Sequence, residues 1–181
     1  MYAPLERMNQ ALAHRVPDDE GIWAQGPLAL GHRRLSIIDL SSAGHQPMHS
    51  RDGRHVLVFN GEIYNYRALR AELADYPYQS NTDTEVILAA YARWGVGCLS
   101  HLVGMFAFAI WDCQAQALFL ARDRLGIKPL YYCQDQGCLT FSSEMRGILA
   151  SGLCARKMDT NSLVDYLRYQ TVHAPHTMVA G

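Results

Sequence analysis

Residues His55-Val56-Leu57-Val58-Phe59 form a short apolar run that stops at Asn60-Gly61-Glu62, and a helical pattern then begins at Tyr66, Leu69 and Leu73. An apolar run bounded by turn residues suits a buried strand, and the later spacing suits one face of a helix. Locally, Asn-Gly between β-prone segments is the strongest short-range hairpin signal, because both residues tolerate φ > 0. The stretch is therefore either a tight turn or a strand end that carries function, and the rest of the chain must choose.

The surrounding pattern alternates between strands and helices in groups. Pro4 to His14 reads as a short amphipathic helix with Pro near its first turn. His14 to Gly21 reads as a polar turn, Leu28 to Leu40 as a strand, and Ser41 to Gly53 as a loop marked by Gly44, Pro47 and Asp52-Gly53. A helix follows from Tyr66 to Ala74. Thr82-Asp83-Thr84-Glu85 has the form of a capping box, in which Thr82 takes the N–H of Glu85 and Glu85 reaches back. The helix behind it offers Val86, Ile87, Ala90, Tyr91 and Trp94 along one stripe and ends at Gly95. Strand patterns cover Met105–Trp111, Ala117–Ala121, Leu130–Cys133 and Leu139–Phe141, with Asp135-Gln136-Gly137 turning between the last two. Ser143 is placed to cap a helix ending near Gly152, and Asp159 to Gln170 suggests a final helix. Strands grouped apart from helices predict an α+β fold with mostly antiparallel sheets.

Composition excludes several partners. A formal charge of −1 without Lys/Arg clusters argues against nucleic acid or an anionic membrane surface. No apolar stretch approaches the ~18 residues of a membrane span, and the start lacks a basic-then-apolar signal. Five scattered cysteines without a Cys-x-x-Cys pair read as reduced thiols of a cytoplasmic protein. His45 and His49 have a helical metal spacing, but Gly44 and Pro47 oppose a helix and no acidic partner is near in sequence, so no metal is expected. No glycine-rich phosphate loop occurs.

Four polar interruptions of apolar elements remain: Arg33-Arg34, Asn60-Gly61-Glu62, Asp83, and Arg122 to Pro129. Each has an ordinary explanation. A strand arginine is usually ion-paired or solvated, Asp83 suits a helix N-terminus electrostatically, and Arg-Asp-Arg can be a surface loop with weak local ion pairs.

Together they carry more. His14-Arg-Val-Pro-Asp-Asp-Glu-Gly21, Gly31-His-Arg-Arg-Leu-Ser-Ile-Ile-Asp39, Gln46-Pro47, Phe59-Asn-Gly-Glu-Ile-Tyr-Asn65, Ser80-Asn-Thr-Asp-Thr-Glu-Val86, Gly104 to Asp112, and Arg122 to Tyr132 occur in order. This series resembles the glutaminase domain of glutamine-hydrolysing asparagine synthetases, which are class II glutamine amidotransferases. The resemblance implies an N-terminal-nucleophile-type four-layer αββα sandwich that hydrolyses the side-chain amide of L-glutamine to glutamate and ammonia. Residues 1–170 would form that domain, and 171–181 would begin a linker to a synthetase domain. No cofactor is implied here; ATP and Mg belong to the synthetase domain, which makes asparagine from aspartate.

The resemblance also assigns roles. Arg34 would hold the α-carboxylate through its guanidinium fork, with Leu35, Ser36, Ile37 and Ile38 lining that side. Asp83 would accept the α-ammonium, and Glu62 would add polar contacts. Asn60 and Gly61 would form the oxyanion hole, with Gly61 allowing close backbone approach.

Two departures accompany it. The family nucleophile is a cysteine directly behind the initiator Met, with its own α-amine aiding proton transfer; here Tyr2 follows Met1 and the first cysteine is Cys98. The family's first strand is accordingly expected to be missing, which would leave this chain without glutaminase activity and expose a strand edge to association, a homodimer being one form it could take. Val16 also stands where the family has Gly. Two alternatives stay open: a catalytically dead glutamine-binding or docking module, and a domain of another class II amidotransferase.

Overall fold

The computed structural model describes residues 2–15, 19–34, 44–135 and 137–181, with Arg15 and Arg34 described by backbone only. The order is α1 (Ala3–Ala11), β1 (Asp19–Gln25), β2 (Leu28–Arg34), β3 (Met48–His49), β4 (His55–Ile63), α2 (Tyr66–Glu72), α3 (Asp83–Trp94), β5 (Gly104–Asp112), β6 (Ala117–Arg122), β7 (Tyr131–Asp135), β8 (Cys138–Ser142), α4 (Met145–Ser151) and α5 (Thr160–Tyr169).

The central sheet has the order β3-β4-β5-β6, and every pairing in it is antiparallel. β4 and β5 pair along their whole length, from His55 opposite Asp112 to Ile63 opposite Gly104. The apolar run thus continues through Asn60-Gly61, and the hairpin reading fails. A pairing ladder of this length outweighs the local turn preference of Asn-Gly.

Two further antiparallel pairs, β1-β2 and β7-β8, form a second layer. Leu30 and Phe141 of that layer pack with Val56, Val58, Ala109 and Trp111 of the central sheet. On the opposite face, Leu57, Phe59, Phe106, Phe108 and Ile110 pack against Leu69 of α2 and Val86, Ile87 and Leu88 of α3. α1 and α4 pack on each other and cover the second layer. The result is the expected αββα sandwich.

Helix ends follow the sequence closely at α3 and α5. Thr82 accepts the Glu85 N–H at 3.2 Å, and Asp159 accepts the Ser162 N–H at 2.9 Å. The other half of the capping box differs. The Glu85 carboxylate passes over Thr82 and takes the N–H groups of Gln79 and Ser80 at 2.8 and 2.6 Å. Burial of Glu85 makes these earlier donors, which have no helix to serve them, its better partners. α3 is also buried beyond its predicted stripe, because Leu88 packs in the main core and Ala89 packs with Leu73 and Cys98.

Other expectations need correction. β1 begins at Asp19, inside the predicted polar turn, because pairing with β2 through the Gly26-Pro27 turn imposes extension on a segment without clear alternation. β3 lies inside the predicted loop 41–53, and it is only as long as its pairing with Val56 and Leu57. The N-cap of α4 is Glu144, not Ser143. Cys133 and Cys154 form a disulfide, against the expectation of reduced thiols. Packing of Ile148 on α4 with both cysteines brings these segments together, and no sequence spacing reports that. Among the described residues, no helix is long and apolar enough to cross a membrane.

Candidate functional site

The site grows from the alternation of backbone groups along β4. Ser50 N–H bonds the His55 carbonyl, and Met48 pairs with Leu57, so the odd-numbered residues of β4 direct their backbone groups toward β3. β3 ends after two residues. Beyond it, Phe59 N–H donates to Gln46 Oε1 at 2.6 Å, and His32 Nε2 donates to the Phe59 carbonyl at 3.0 Å. Ile63 N–H donates to Asp83 Oδ2 at 3.0 Å.

Gly61 lies between these two positions. Its partner across the ladder is Phe106, whose own backbone groups are occupied on the far side by Asp123. Gly61 N–H therefore points away from β5, and among the described residues no strand covers it there. The even-numbered side chains Val58, Asn60 and Glu62 lie on the face that carries Ala107 and Ala109, and all five residues line one cavity of about 650 Å³. No described residue hydrogen-bonds the Asn60 side chain.

Asp83 reaches the same cavity from the first turn of α3 and is 5% exposed. Burial pushes its carboxyl above the usual range, the Ile63 N–H draws it back, and the nearby Glu62 charge raises it further. The backbone N–H groups of Thr84 and of Asp83 itself also draw it down. Leu28, Leu30 and His32 of β2, Leu139 and Phe141 of β8, and Met8 of α1 also line the cavity. Among the described residues, β2 and β8 are each bonded to a partner strand on one side only, and both line the same space.

The far wall depends on the loop after β6. Asp123 is 7% exposed, and its carboxylate accepts the N–H groups of Phe106, Leu125, Ile127 and Lys128 at 2.9–3.2 Å. Burial alone would raise its carboxyl, but these donors outweigh burial and hold it below the usual range. The expected weak surface ion pair is thus a buried acceptor, and it sets Lys128 and Pro129 in the cavity wall. Asp123→Ala should cost about 3 kcal/mol by stranding several of these donors, read as a lowered denaturation midpoint.

The structure therefore brings Asn60, Gly61, Glu62 and Asp83 together. The Arg34 side chain and Leu35, Ser36, Ile37 and Ile38 lie outside the described residues; the Arg34 backbone pairs with Asp19 at the end of β2. Arg33 forms an ion pair with Glu20 at 2.7 Å, its ordinary reading. His45 does have an acidic neighbour, Asp19 at 2.8 Å, which folding brings from another strand. Among the described residues, no group of three potential metal ligands assembles. Cys98 is fully buried, and burial pushes its thiol up to about 11. Cys138 is exposed and lines the cavity wall at the start of β8. Sequence reasoning missed His32 and Gln46, although both stand in blocks that carried the resemblance.

The αββα sandwich thus sets a buried carboxylate and an uncovered backbone N–H on one cavity. The glutamine amidotransferase domain model matches residues 2–181, and the chain belongs to that family. Asparagine synthetase [glutamine-hydrolyzing] 3 of Bacillus subtilis is 36% identical over 96% of this chain and 29% of its own length. Asparagine synthetase B of Escherichia coli is 46% identical over 78% of this chain and 26% of its own. Amidase chry2 of Gibberella zeae is 44% identical over 87% of this chain and 25% of its own. The chain thus spans between a quarter and a third of these relatives. The glutamine phosphoribosylpyrophosphate amidotransferase of Bacillus subtilis shares the fold, with a TM-score of 0.59 and 24% identity over 72% of this chain and 31% of that one. The sandwich is of the N-terminal-nucleophile type.

Proposed function

We propose that this chain is the glutamine-binding and oxyanion-stabilising part of an asparagine-synthetase-like enzyme, which releases ammonia from L-glutamine for transfer to an acceptor acid activated with ATP. The carrying observation is the open Gly61 N–H beside the Asn60 side chain, with Asp83 in the same cavity. In the reaction, a thiolate attacks the γ-amide carbon, and the carbonyl oxygen becomes an oxyanion between the Asn60 amide and Gly61 N–H. The leaving nitrogen takes up the proton that the thiol gave up, the C–N bond breaks and ammonia departs, and water then hydrolyses the thioester to glutamate and restores the thiol. Losing one oxyanion donor costs about 3–4 kcal/mol in comparable acyl transfers. Arg34 and Asp83 hold the two charged ends of glutamine, which fixes the distance of the amide from the nucleophile.

The attacking thiol is proposed to come from an extended segment that precedes α1 and lies between β2 and β8. Two observations support this: the cavity is larger than a free amino acid needs, and its walls include β2 and β8, each bonded to one partner strand only among the described residues, with the small residues Ala107 and Ala109. A glutamine-binding module without hydrolysis is the second reading, favoured by the burial of Cys98 and the disulfide at Cys133 and Cys154.

Calorimetric titration of the 181-residue chain with glutamine tests both. Binding abolished by Arg34→Ala is expected; no binding, or binding indifferent to that change, removes the proposal. The ammonium acceptor must be ionised, and Asp83 titrates above an ordinary carboxylate. Affinity should therefore weaken as the pH falls through that raised range, and Asp83→Asn should leave weak, pH-independent binding. Stability runs oppositely: a raised folded-state pKa contributes below the unfolded-state value and is lost as pH rises through the folded-state one.

A further inference from the structure

β4 carries Asn60 and Gly61 past the end of β3, where an uncovered strand edge must find other partners for its backbone groups. At Phe59 both groups are taken by side chains from other parts of the fold, the N–H by Gln46 Oε1 at 2.6 Å and the carbonyl by His32 Nε2 at 3.0 Å. At Ile63 the N–H is taken by Asp83 at 3.0 Å. Gly61 sits midway on the same edge, between two clamped positions.

We infer that Gln46 and His32 are positioning residues that hold the Gly61 N–H on its line into the cavity, an inference that rests on the glutamine reading of the site. Glycine leaves the backbone soft in torsion, and an oxyanion donor works only if it is aimed before charge develops. The clamp on Phe59 supplies the missing stiffness one residue before the Asn-Gly pair.

Gln46 is itself immobilised. It is 5% exposed, and its carbonyl lies so close to β1 that a Cβ on Gly21 would stand 1.9 Å from it. Its neighbour His45 bonds Asp19 of the same strand at 2.8 Å. His32 stands on β2, paired with Gly21 across that hairpin. The β1-β2 hairpin therefore sets the β4 edge through two side chains, neither of which need touch the amide that reacts.

Amide hydrogen exchange and ¹⁵N spectra of the 181-residue protein test this. Gln46→Leu keeps the bulk and removes the acceptor; Gln46→Glu keeps an acceptor oxygen. Exchange at Phe59 should rise about tenfold in Gln46→Leu, the worth of one hydrogen bond, and the Gly61 amide resonance should shift, with Leu57 and Ile110 unchanged. Gln46→Glu should restore slow exchange at Phe59 and the wild-type Gly61 resonance. If Gln46→Leu does not fold, His32→Phe reads the carbonyl side of the clamp through the Gly61 resonance. An unmoved Gly61 resonance, or failure of Gln46→Glu to restore Phe59 exchange where Gln46→Leu raises it, overturns the inference. Glutamine added to the wild-type sample should shift the Gly61 amide. Absence of that shift defeats the glutamine reading, while the exchange rates still decide whether the clamp positions the edge.

Discussion

A chain extended upstream by a strand of the Met-Cys-Gly-Ile type is expected to release ammonia from glutamine, and the 181-residue chain is expected to release none. The physical basis is the division of labour in acyl transfer. Oxyanion donors stabilise a charge that only a nucleophile can create. The buried Cys98 thiol, pushed up to about 11, is a poor source of thiolate, and Cys133 and Cys154 are joined to each other. Cys138 lines the cavity, so the control is Cys138→Ser in the extended chain. Ammonia release should persist in that control and vanish when the upstream cysteine is replaced by serine. A folded extended chain that still releases no ammonia would count against the proposed function. Activity in the unextended chain, lost on Cys138→Ser, would move the nucleophile to β8.

Gly61→Ala should be among the most damaging single substitutions in the fold. A Cβ there would stand 2.2 Å from the Met105 carbonyl oxygen and 2.8 Å from the Phe106 Cα. Both are backbone atoms of β5, so no side chain can rotate away and the central ladder must separate. The expected cost is about 3 kcal/mol, or roughly 6–12 °C in Tm for a domain of this size. Gly97→Ala, where an added Cβ meets nothing within 4 Å, is the matched control and should be nearly neutral. Equal melting of the two variants would remove the close-approach argument. The resemblance gave Gly61 the task of letting the backbone approach substrate; the ladder gives it a second one, letting β4 approach β5.

Much of the fold was readable because its signals are short in range. Thr82 and Asp159 cap helices whose starts lie within three residues of them. The run 55–59 announces a strand by apolarity alone, and Asn60, Glu62 and Asp83 were named from blocks a few residues long. β1 was not readable, because Asp19-Glu20-Gly21 looks like a turn until β2 lies beside it. Asp123 was misread for a similar reason: its neighbours in sequence suggest ion pairs, but its partners include Phe106 on another strand.

The sequence by itself determined the family, the α+β class, the main helix starts and the residue types available to the cavity. Those properties follow from local patterning, capping and motif order, each decided within a few residues. Only the tertiary structure decided that β4 passes straight through Asn60-Gly61, that Cys133 meets Cys154, and that Gln46 and His32 complete the Phe59 edge. Each of these depends on which backbone groups lack a partner once the strands are in register, and that count exists only after distant segments have met.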